Sequence, residues 1–298
     1  MSEQITSIGV VGGGFMGAGI AETAAFAGID VVVRELPEYL DATRERLETS
    51  LNRAVKRGKC DAVDRDAALA RITLTSELED VAEAELAIEA VPENVELKTS
   101  IMKALGGIVA DDALIASNTS SIPIAQLAST VHNPDRVVGL HFFSPVPVMG
   151  LVEIVRALDT SDETIEKAHT FVQQLGKQAI ETKDRSGFIV NMLLVPYLMA
   201  AVRMYEDDFA TREDIDEGMK LGTGVPMGPL TLCDFVGLDV LHAVCNSLYE
   251  EYKRDEYAPP PLMRRMIAAG RLGRKSGRGF YDYAAPAKEI RTAHVTGV

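Results

Sequence analysis

The sequence predicts an α/β fold: an N-terminal doubly wound parallel sheet followed by an all-helical C-terminal domain. Three observations carry this expectation. Short β-branched runs alternate with helix-length amphipathic segments from Ile8 to Glu181, the pattern of strands joined by crossover helices. A glycine-rich turn links the first strand to the first helix. Beyond Ser186 no strand-like alternation appears until the tail, and apolar residues recur at helical spacing instead. The boundary is expected near Asp184–Ser186, which gives residues 1–184 as the first domain and 185–298 as the second.

The first strand and helix form the most informative stretch, I-G-V-V-G-G-G-F-M-G-A-G-I-A at 8–21. Gly12, Gly14 and Gly17 stand in G-x-G-x-x-G register with Phe15 and Met16 between them. The first glycine permits the turn, the second lets a pyrophosphate approach the backbone, and the third lets helix and strand pack closely. Unpaired N–H groups at the helix start then face the phosphates. Asp30–Val33 reads as a second buried strand ending at Arg34-Glu35. Glu35 stands roughly 20 residues beyond the glycines, where a carboxylate binds the adenosine ribose hydroxyls and repels a 2′-phosphate. The first domain is therefore expected to be Rossmann-type and to bind NAD rather than NADP. Arg34 pulls the other way, because a guanidinium attracts a 2′-phosphate.

Leu36–Arg57 and Asp61–Arg71 read as helices, with Ile72–Thr75 a short strand between them and the next βα unit. The first of these helices ends in Arg53, Lys56, Arg57 and Lys59. Cations there either complement the helix C-terminus or receive a nucleotide phosphate, and the pattern leaves both open. Strands at Ala84–Val91 and Ala113–Ser117 flank a helix at Glu96–Gly106. Glu93-Asn94 and Ser117-Asn118-Thr119-Ser120-Ser121 fall at strand ends, the edge where ligands bind in such sheets.

Val137–Pro147 then runs V-V-G-L-H-F-F-S-P-V-P, carrying His141 out of a buried strand. Leu151–Val155 places Glu153 inside an apolar strand. A carboxylate bonded to one imidazole nitrogen fixes the tautomer and makes the other nitrogen a better base. His141 and Glu153 are thus a candidate acid–base pair. Thr164–Leu175 is helical and Lys177–Glu181 is the last strand. Phe188–Tyr205 reads as a long helix apolar on nearly all sides, which calls for burial in a core or subunit contact. Asn191 near its start is a polar residue that needs a partner, either in the core or in a ligand. Further helices are expected at Glu213–Leu221, Leu230–Val236, Leu238–Tyr252 and Leu262–Ala269.

Composition excludes several classes. A net charge of −14 argues against nucleic acid or an anionic membrane as the main partner. Cys60, Cys233 and Cys245 are isolated, without metal-binding or disulfide spacing. No metal site is expected, and the absence of a leader-like or membrane-spanning segment points to the cytoplasm.

The chain resembles the 3-hydroxyacyl-CoA dehydrogenase family, particularly its bacterial 3-hydroxybutyryl-CoA members. The resemblance rests on G-G-G-F-M-G-A-G-I-A at 12–21, S-N-T-S-S at 117–121 and G-L-H-F-F-S-P-V-P-V-M at 139–149. It continues through L-V-E-I-V at 151–155, D-R-S-G-F-I-V-N-M-L-L-V-P-Y-L at 184–198, M-K-L-G-T-G-V-P-M-G-P-L at 219–230 and G-R-K-S-G-R-G-F-Y at 273–281. It implies NAD-dependent oxidation of (S)-3-hydroxyacyl-CoA, with His141 as general base oriented by Glu153. Ser120 and Asn191 would hydrogen-bond the substrate and help stabilise the developing oxyanion. Glu93 and Lys98 would lie beside the nicotinamide end, with Asn118, Ser120 and Ser144 also toward the cofactor. Ser50, Lys56 and Arg57 would contact the CoA nucleotide. The helical domain would form a homodimer and close over the site. Two departures stand out: Ser144 replaces the family's usual Asn, and Gly150 its common Lys. The residues alone also admit a dehydrogenase of a free hydroxy acid, or an NAD-binding protein without turnover.

Overall fold

The computed structural model describes residues 4–283; the two ends of the expected domains, 1–3 and 284–298, lie outside the described residues. Strand β1 (Ser7–Val11) leads into α1 (Phe15–Phe26), and β2 (Asp30–Arg34) returns parallel to β1. Helices α2 (Leu40–Lys56) and α3 (Ala62–Ala70) precede β3 (Ile72–Thr75). There follow β4 (Leu86–Glu89), α4 (Val95–Ile108), β5 (Leu114–Ser117), α5 (Ile124–Ala128) and β6 (Val137–Phe142). Strand β7 (Leu151–Arg156), α6 (Asp162–Gln174) and β8 (Gln178–Lys183) complete the first unit. The expected start of α2 at Leu36 moves to Leu40 because Pro37 opens a 3-10 turn at Pro37–Tyr39.

The strands form one sheet in the order β3-β2-β1-β4-β5-β6-β7-β8. The order reverses direction between β1 and β4, the switch point at which α/β sheets open a ligand crevice. Apolar residues cover both faces. Val10, Val33 and Ile88 pack with Ile20 of α1 on one side, and Ala87 and Ile115 pack with Met102 and Leu105 of α4 on the other. Such two-sided burial explains why the strands read as continuous apolar runs rather than alternating ones.

The sheet is not parallel throughout. Strand β7 runs antiparallel to β6, then β8 runs parallel to β7. The segment at 143–150 is too short for a crossover, which needs about a dozen residues or more, so the chain can only turn back on itself. The reversal sets His141 directly opposite Glu153 in the strand register.

The division into two compact units falls between Ile189 and Val190. It lies just past the expected Asp184–Ser186. Asp184 stays with the first unit by accepting hydrogen bonds from Ile124 N (2.8 Å) and Ala125 N (2.7 Å). The long apolar helix also begins later than its sequence suggests. Gly187 and Phe188 adopt positive φ, 82° and 49°, so α7 starts at Val190 rather than Phe188.

The second unit contains α7 (Val190–Glu206), α8 (Arg212–Thr223), α9 (Pro229–Val236), α10 (Leu238–Tyr252) and α11 (Pro261–Ala268). Leu198, Val202, Leu230, Leu241 and Leu248 form its core together with the free thiols Cys233 and Cys245. Burial pushes the Cys245 thiol up to about 12, so it stays protonated and inert. Two buried aspartates organise the unit. Asp216 accepts from Leu230 N (2.7 Å) and Thr231 N (2.9 Å) in the first turn of α9, where a carboxylate also suits the helix dipole. Asp234 accepts from Phe280 N, Tyr281 N (both 2.9 Å) and Tyr283 Oη (3.0 Å), which pins the G-R-G-F-Y segment. Gly279 permits this approach, since a Cβ there would fall 1.9 Å from Asp234 Oδ1. Gly279→Ala is expected to destabilise the helical unit by about 1–3 kcal/mol, as overpacking does. The check is the urea midpoint, and an unchanged midpoint would contradict the close packing of Gly279 on Asp234.

Candidate active site

The glycine turn has the form a dinucleotide requires. Gly12 has φ 105°, and a Cβ on Gly17 would lie 1.8 Å from Gly12 O, so helix and turn are in direct contact. A Cβ on Gly14 would meet nothing within 4 Å. The second glycine therefore borders open space, where a pyrophosphate needs close access to the backbone. Gly14 is the N-cap of α1, and no side chain caps it and no acidic residue occupies the first turn. Its amides are left for an anion. Phe15 is exposed beside them, whereas Met16 packs partly into the core.

Glu35 follows directly after β2, against this turn. Its Oε2 accepts from Gly13 N (2.8 Å) and its Oε1 from Leu36 N (2.8 Å). Both oxygens keep a lone pair for ribose hydroxyls. Arg34 is directed elsewhere, its Nε donating to Ser76 O at 3.2 Å. Sequence reasoning missed two residues of α2, Thr43 and Arg46. Both donate to Gly13 O, at 3.1 and 2.8 Å, and so hold the turn from its other side. Nothing in their spacing signals this.

At the next strand ends the polar residues form one connected network. Glu89 closes β4, fully buried, and accepts from Lys98 Nζ (2.7 Å), Ser117 Oγ (2.6 Å) and Val91 N (2.7 Å). Lys98, only 1% exposed, also donates to Val91 O (3.0 Å) and lies 3.4 Å from Glu93 Oε2. Its ammonium thus makes two hydrogen bonds and a second ion pair within the network. Glu93 Oε1 accepts from Thr119 Oγ1 (2.6 Å), Ser121 Oγ (2.8 Å) and the backbone N–H groups of Ser120 and Ser121 (both 3.1 Å). Glu93 therefore clamps the loop carrying Ser120. Asn118 ties that loop to the next strand, its Oδ1 accepting from Phe142 N at 2.9 Å. Glu89 escaped the sequence reading although the signal was available: a carboxylate ending a strand otherwise wholly apolar.

His141 and Glu153 meet across the antiparallel pair, Nδ1 to Oε2 at 2.7 Å. Glu153 is fully buried and His141 is 6% exposed. A carboxylate only accepts, so the bond fixes the imidazole proton on Nδ1 and leaves Nε2 free to accept one. Glu153 Oε1 accepts from Ile189 N at 3.0 Å. The rings of Phe143 and Phe188 both pack on the imidazole, with centroids 4.6 and 5.3 Å away. Ser144, exposed, follows at the start of the loop after β6. Lys177 Nζ holds that loop by donating to Val146 O and Met149 O, both at 2.7 Å. Burial pulls the Lys177 ammonium below its usual range.

A cleft of ≈ 410 Å³ opens between α1, α2 and this loop, bordered by Phe15, Glu22, Arg46, Ser50, Arg53 and Pro147 among others. Ser50 is on its wall, while Lys56 and Arg57 are exposed on the C-terminal turn of α2 outside its lining. Glu22 went unnoticed in the sequence. Burial raises its carboxyl above the usual range, against the lowering effects of Ser50 and Arg53. Asn191 is the second residue of α7 and belongs to the second unit.

Comparison with known proteins is unambiguous. The family model described as "3-hydroxyacyl-CoA dehydrogenase, NAD binding domain" matches residues 7–185, and its "C-terminal domain" partner matches 187–283. A Mycobacterium tuberculosis protein named 3-hydroxybutyryl-CoA dehydrogenase is 51% identical, covering 95% of this chain and all of that one. The crystal structure of M. tuberculosis FadB2 superposes with a TM-score of 0.93 at 50% identity, covering 95% of this chain and 100% of its own. That of (S)-3-hydroxybutyryl-CoA dehydrogenase PaaH1 from Ralstonia eutropha gives 0.89 at 44% identity, with the same coverage.

The Glu93 clamp is testable without ligand. Burial alone would raise the Glu93 carboxyl, but the Lys98 charge and the donors of 119–121 outweigh it and hold it below the usual carboxylate range. A carboxyl depressed in the folded state stabilises the fold above its unfolded pKa and loses that contribution as pH falls through the folded value. Glu93→Gln is therefore expected to cost stability at neutral pH, with the gap to the unsubstituted protein closing from about pH 5 downward. Thermal midpoints measured across that range provide the check, and a pH-independent gap would contradict it.

Proposed function

The chain belongs to the 3-hydroxyacyl-CoA dehydrogenase family, an NAD-dependent oxidoreductase of 3-hydroxyacyl-CoA, and we propose (S)-3-hydroxybutyryl-CoA as its substrate, with His141 and Glu153 as the acid–base pair. The observation that supports this most directly is the 2.7 Å bond from the His141 imidazole to a fully buried carboxylate, beside the open strand ends. In oxidation His141 Nε2 takes the 3-hydroxyl proton, and Glu153 stabilises the imidazolium that results. In reduction the imidazolium returns a proton to the 3-oxo oxygen. NAD, when bound, supplies the hydride acceptor. Phe143 and Phe188 limit water around the imidazole, and the Glu93 clamp holds Ser120 ready for the thioester end of the substrate. Asn191 provides a second polar contact to the substrate.

The glycine turn and Glu35 hold the adenosine and pyrophosphate of NAD, and Glu93, Lys98, Asn118 and Ser144 form the nicotinamide end. Lys98 contributes there as a buried charge behind Glu93. Ser50, backed by Arg53, receives the CoA nucleotide at the cleft wall, with Lys56 and Arg57 reaching it from outside. A homodimer through the C-terminal helices and a cytoplasmic location complete the reading. Among the described residues no single helix is long and apolar enough to cross a membrane.

The near-ultraviolet absorbance of NADH, followed with acetoacetyl-CoA and with free acetoacetate, tests the function in one experiment. Consumption with the thioester alone is expected; activity on the free acid alone would overturn the CoA assignment. His141→Ala should lose about 10²–10⁴-fold in turnover while still binding NADH by fluorescence titration, and near-normal turnover would refute its role. Glu35→Ala is expected to erode the preference for NADH over NADPH by about tenfold or more, since it removes the like-charge repulsion of the 2′-phosphate. The ratio of kcat/KM for the two nucleotides measures it.

A further inference from the structure

Phe188 holds a backbone conformation that its side chain disfavours. Its φ of 49° is in the left-handed region, an outlier for a bulky residue that persists only where the surroundings over-determine it. The constraints are visible. At one end of the turn Asp184 accepts from Ile124 N and Ala125 N. At the other Ile189 N–H donates to Glu153 Oε1 at 3.0 Å. Between them Phe188 N donates to Arg185 O at 2.9 Å, and the Phe188 ring is 3% exposed in the core of the first unit. That ring lies 5.3 Å from the imidazole of His141, planes 58° apart, and Phe143 makes a second contact at 4.6 Å and 59°. Filling a core does not by itself require a strained backbone. The left-handed turn does two things together: it brings a ring to His141 and aims the following N–H at Glu153.

We propose that Phe188 is a positioning residue for the acid–base pair, its ring fixing the plane of the His141 imidazole so that Nδ1 stays on Glu153. It acts through His141, and the proposal therefore rests on the acid–base role assigned to that residue. Displacing a reacting group by about 1 Å costs on the order of 100-fold in rate, so a loosened imidazole should show chiefly in kcat.

Three substitutions separate the ring from the turn. Phe188→Ala removes the ring and keeps the backbone strain; Phe188→Gly removes the ring and relieves the strain; Phe188→Leu keeps most of the apolar bulk. The expected result is a fall in kcat of about 10- to 100-fold in both Ala and Gly variants, with NADH affinity by fluorescence titration unchanged. Phe188→Gly should melt no lower than Phe188→Ala yet be no faster, and Phe188→Leu should recover much of the lost kcat. Wild-type kcat in the Gly variant would overturn the proposal by showing that only the backbone matters. So would a loss of kcat matched by equal losses of NADH affinity and thermal midpoint. An unsubstituted enzyme inactive on acetoacetyl-CoA would instead overturn the functional reading and this inference with it; an active one confines any failure to Phe188.

Discussion

The reversal between β6 and β7 constrains everything around the His141–Glu153 pair. A parallel continuation would have sent β7 across a helix and placed its residues in the same sense as those of β6. Because the chain turns back at 143–150, residues pair one to one across the strands, and His141 meets Glu153 in register. The arrangement puts a carboxylate at a fully buried position. An uncompensated charge there would be prohibitively costly, so both oxygens must find donors. The imidazole takes one and the Ile189 amide takes the other. The turn at 184–189 is thus part of the site rather than a connection leading away from it. Lys177 serves the same reversal by tying down the carbonyls of the loop.

The charged network at the neighbouring strand ends follows a similar logic with a different balance. One ammonium, Lys98, serves two carboxylates, Glu89 and Glu93. The Lys98–Glu89 pair is buried on both sides; such a pair adds little net stability against an apolar replacement, but removing one partner strands the other at a cost of about 3–5 kcal/mol. By contrast, an exposed pair such as Lys167 with Glu163 on α6 is worth only about 0.3–0.5 kcal/mol. The network anchored on the buried Lys98–Glu89 pair is therefore the part of the charge distribution that fixes geometry. Its product is the shape of the 117–121 loop, since Ser117 hangs on Glu89 while Thr119, Ser120 and Ser121 hang on Glu93.

How much of this could be read from residues alone depends on the range of the determining contact. Gly12, Gly14, Gly17 and Glu35 were legible because a strand, a tight turn and a second strand fix their spacing locally. His141 and Glu153 stood out as polar residues on apolar strands, although their pairing needed the strand reversal, and an all-parallel sheet would not have supplied it. Thr43 and Arg46 carried no signal, since their bond to Gly13 depends on how α2 is rotated over the turn. The start of α7 was misplaced for a related reason. Phe188 and Ile189 continue the apolar helical period, but tertiary contacts hold left-handed backbone at Gly187 and Phe188 and put the Ile189 N–H on Glu153. Lys56 and Arg57 look like part of one basic cluster with Arg53, yet only Arg53 turns onto the cleft.

The overall charge of −14 looks ill-suited to ligands rich in phosphate, but the range of the field resolves the conflict. At physiological ionic strength the Debye length is about 8 Å, so distant surface carboxylates contribute little at the cleft. What an incoming nucleotide meets is local: the uncapped amides of α1, the guanidinium groups of Arg46 and Arg53, and the carboxyl groups of Glu22 and Glu45 on the same walls. Glu22 is the group placed to oppose an anion most strongly, and burial raises its carboxyl toward the neutral form. Desolvation thus works against the charged form of Glu22, one of the two carboxyl groups on these walls, whereas Arg53 is exposed at the rim. A sum of charges over the sequence cannot report which of these groups burial disfavours.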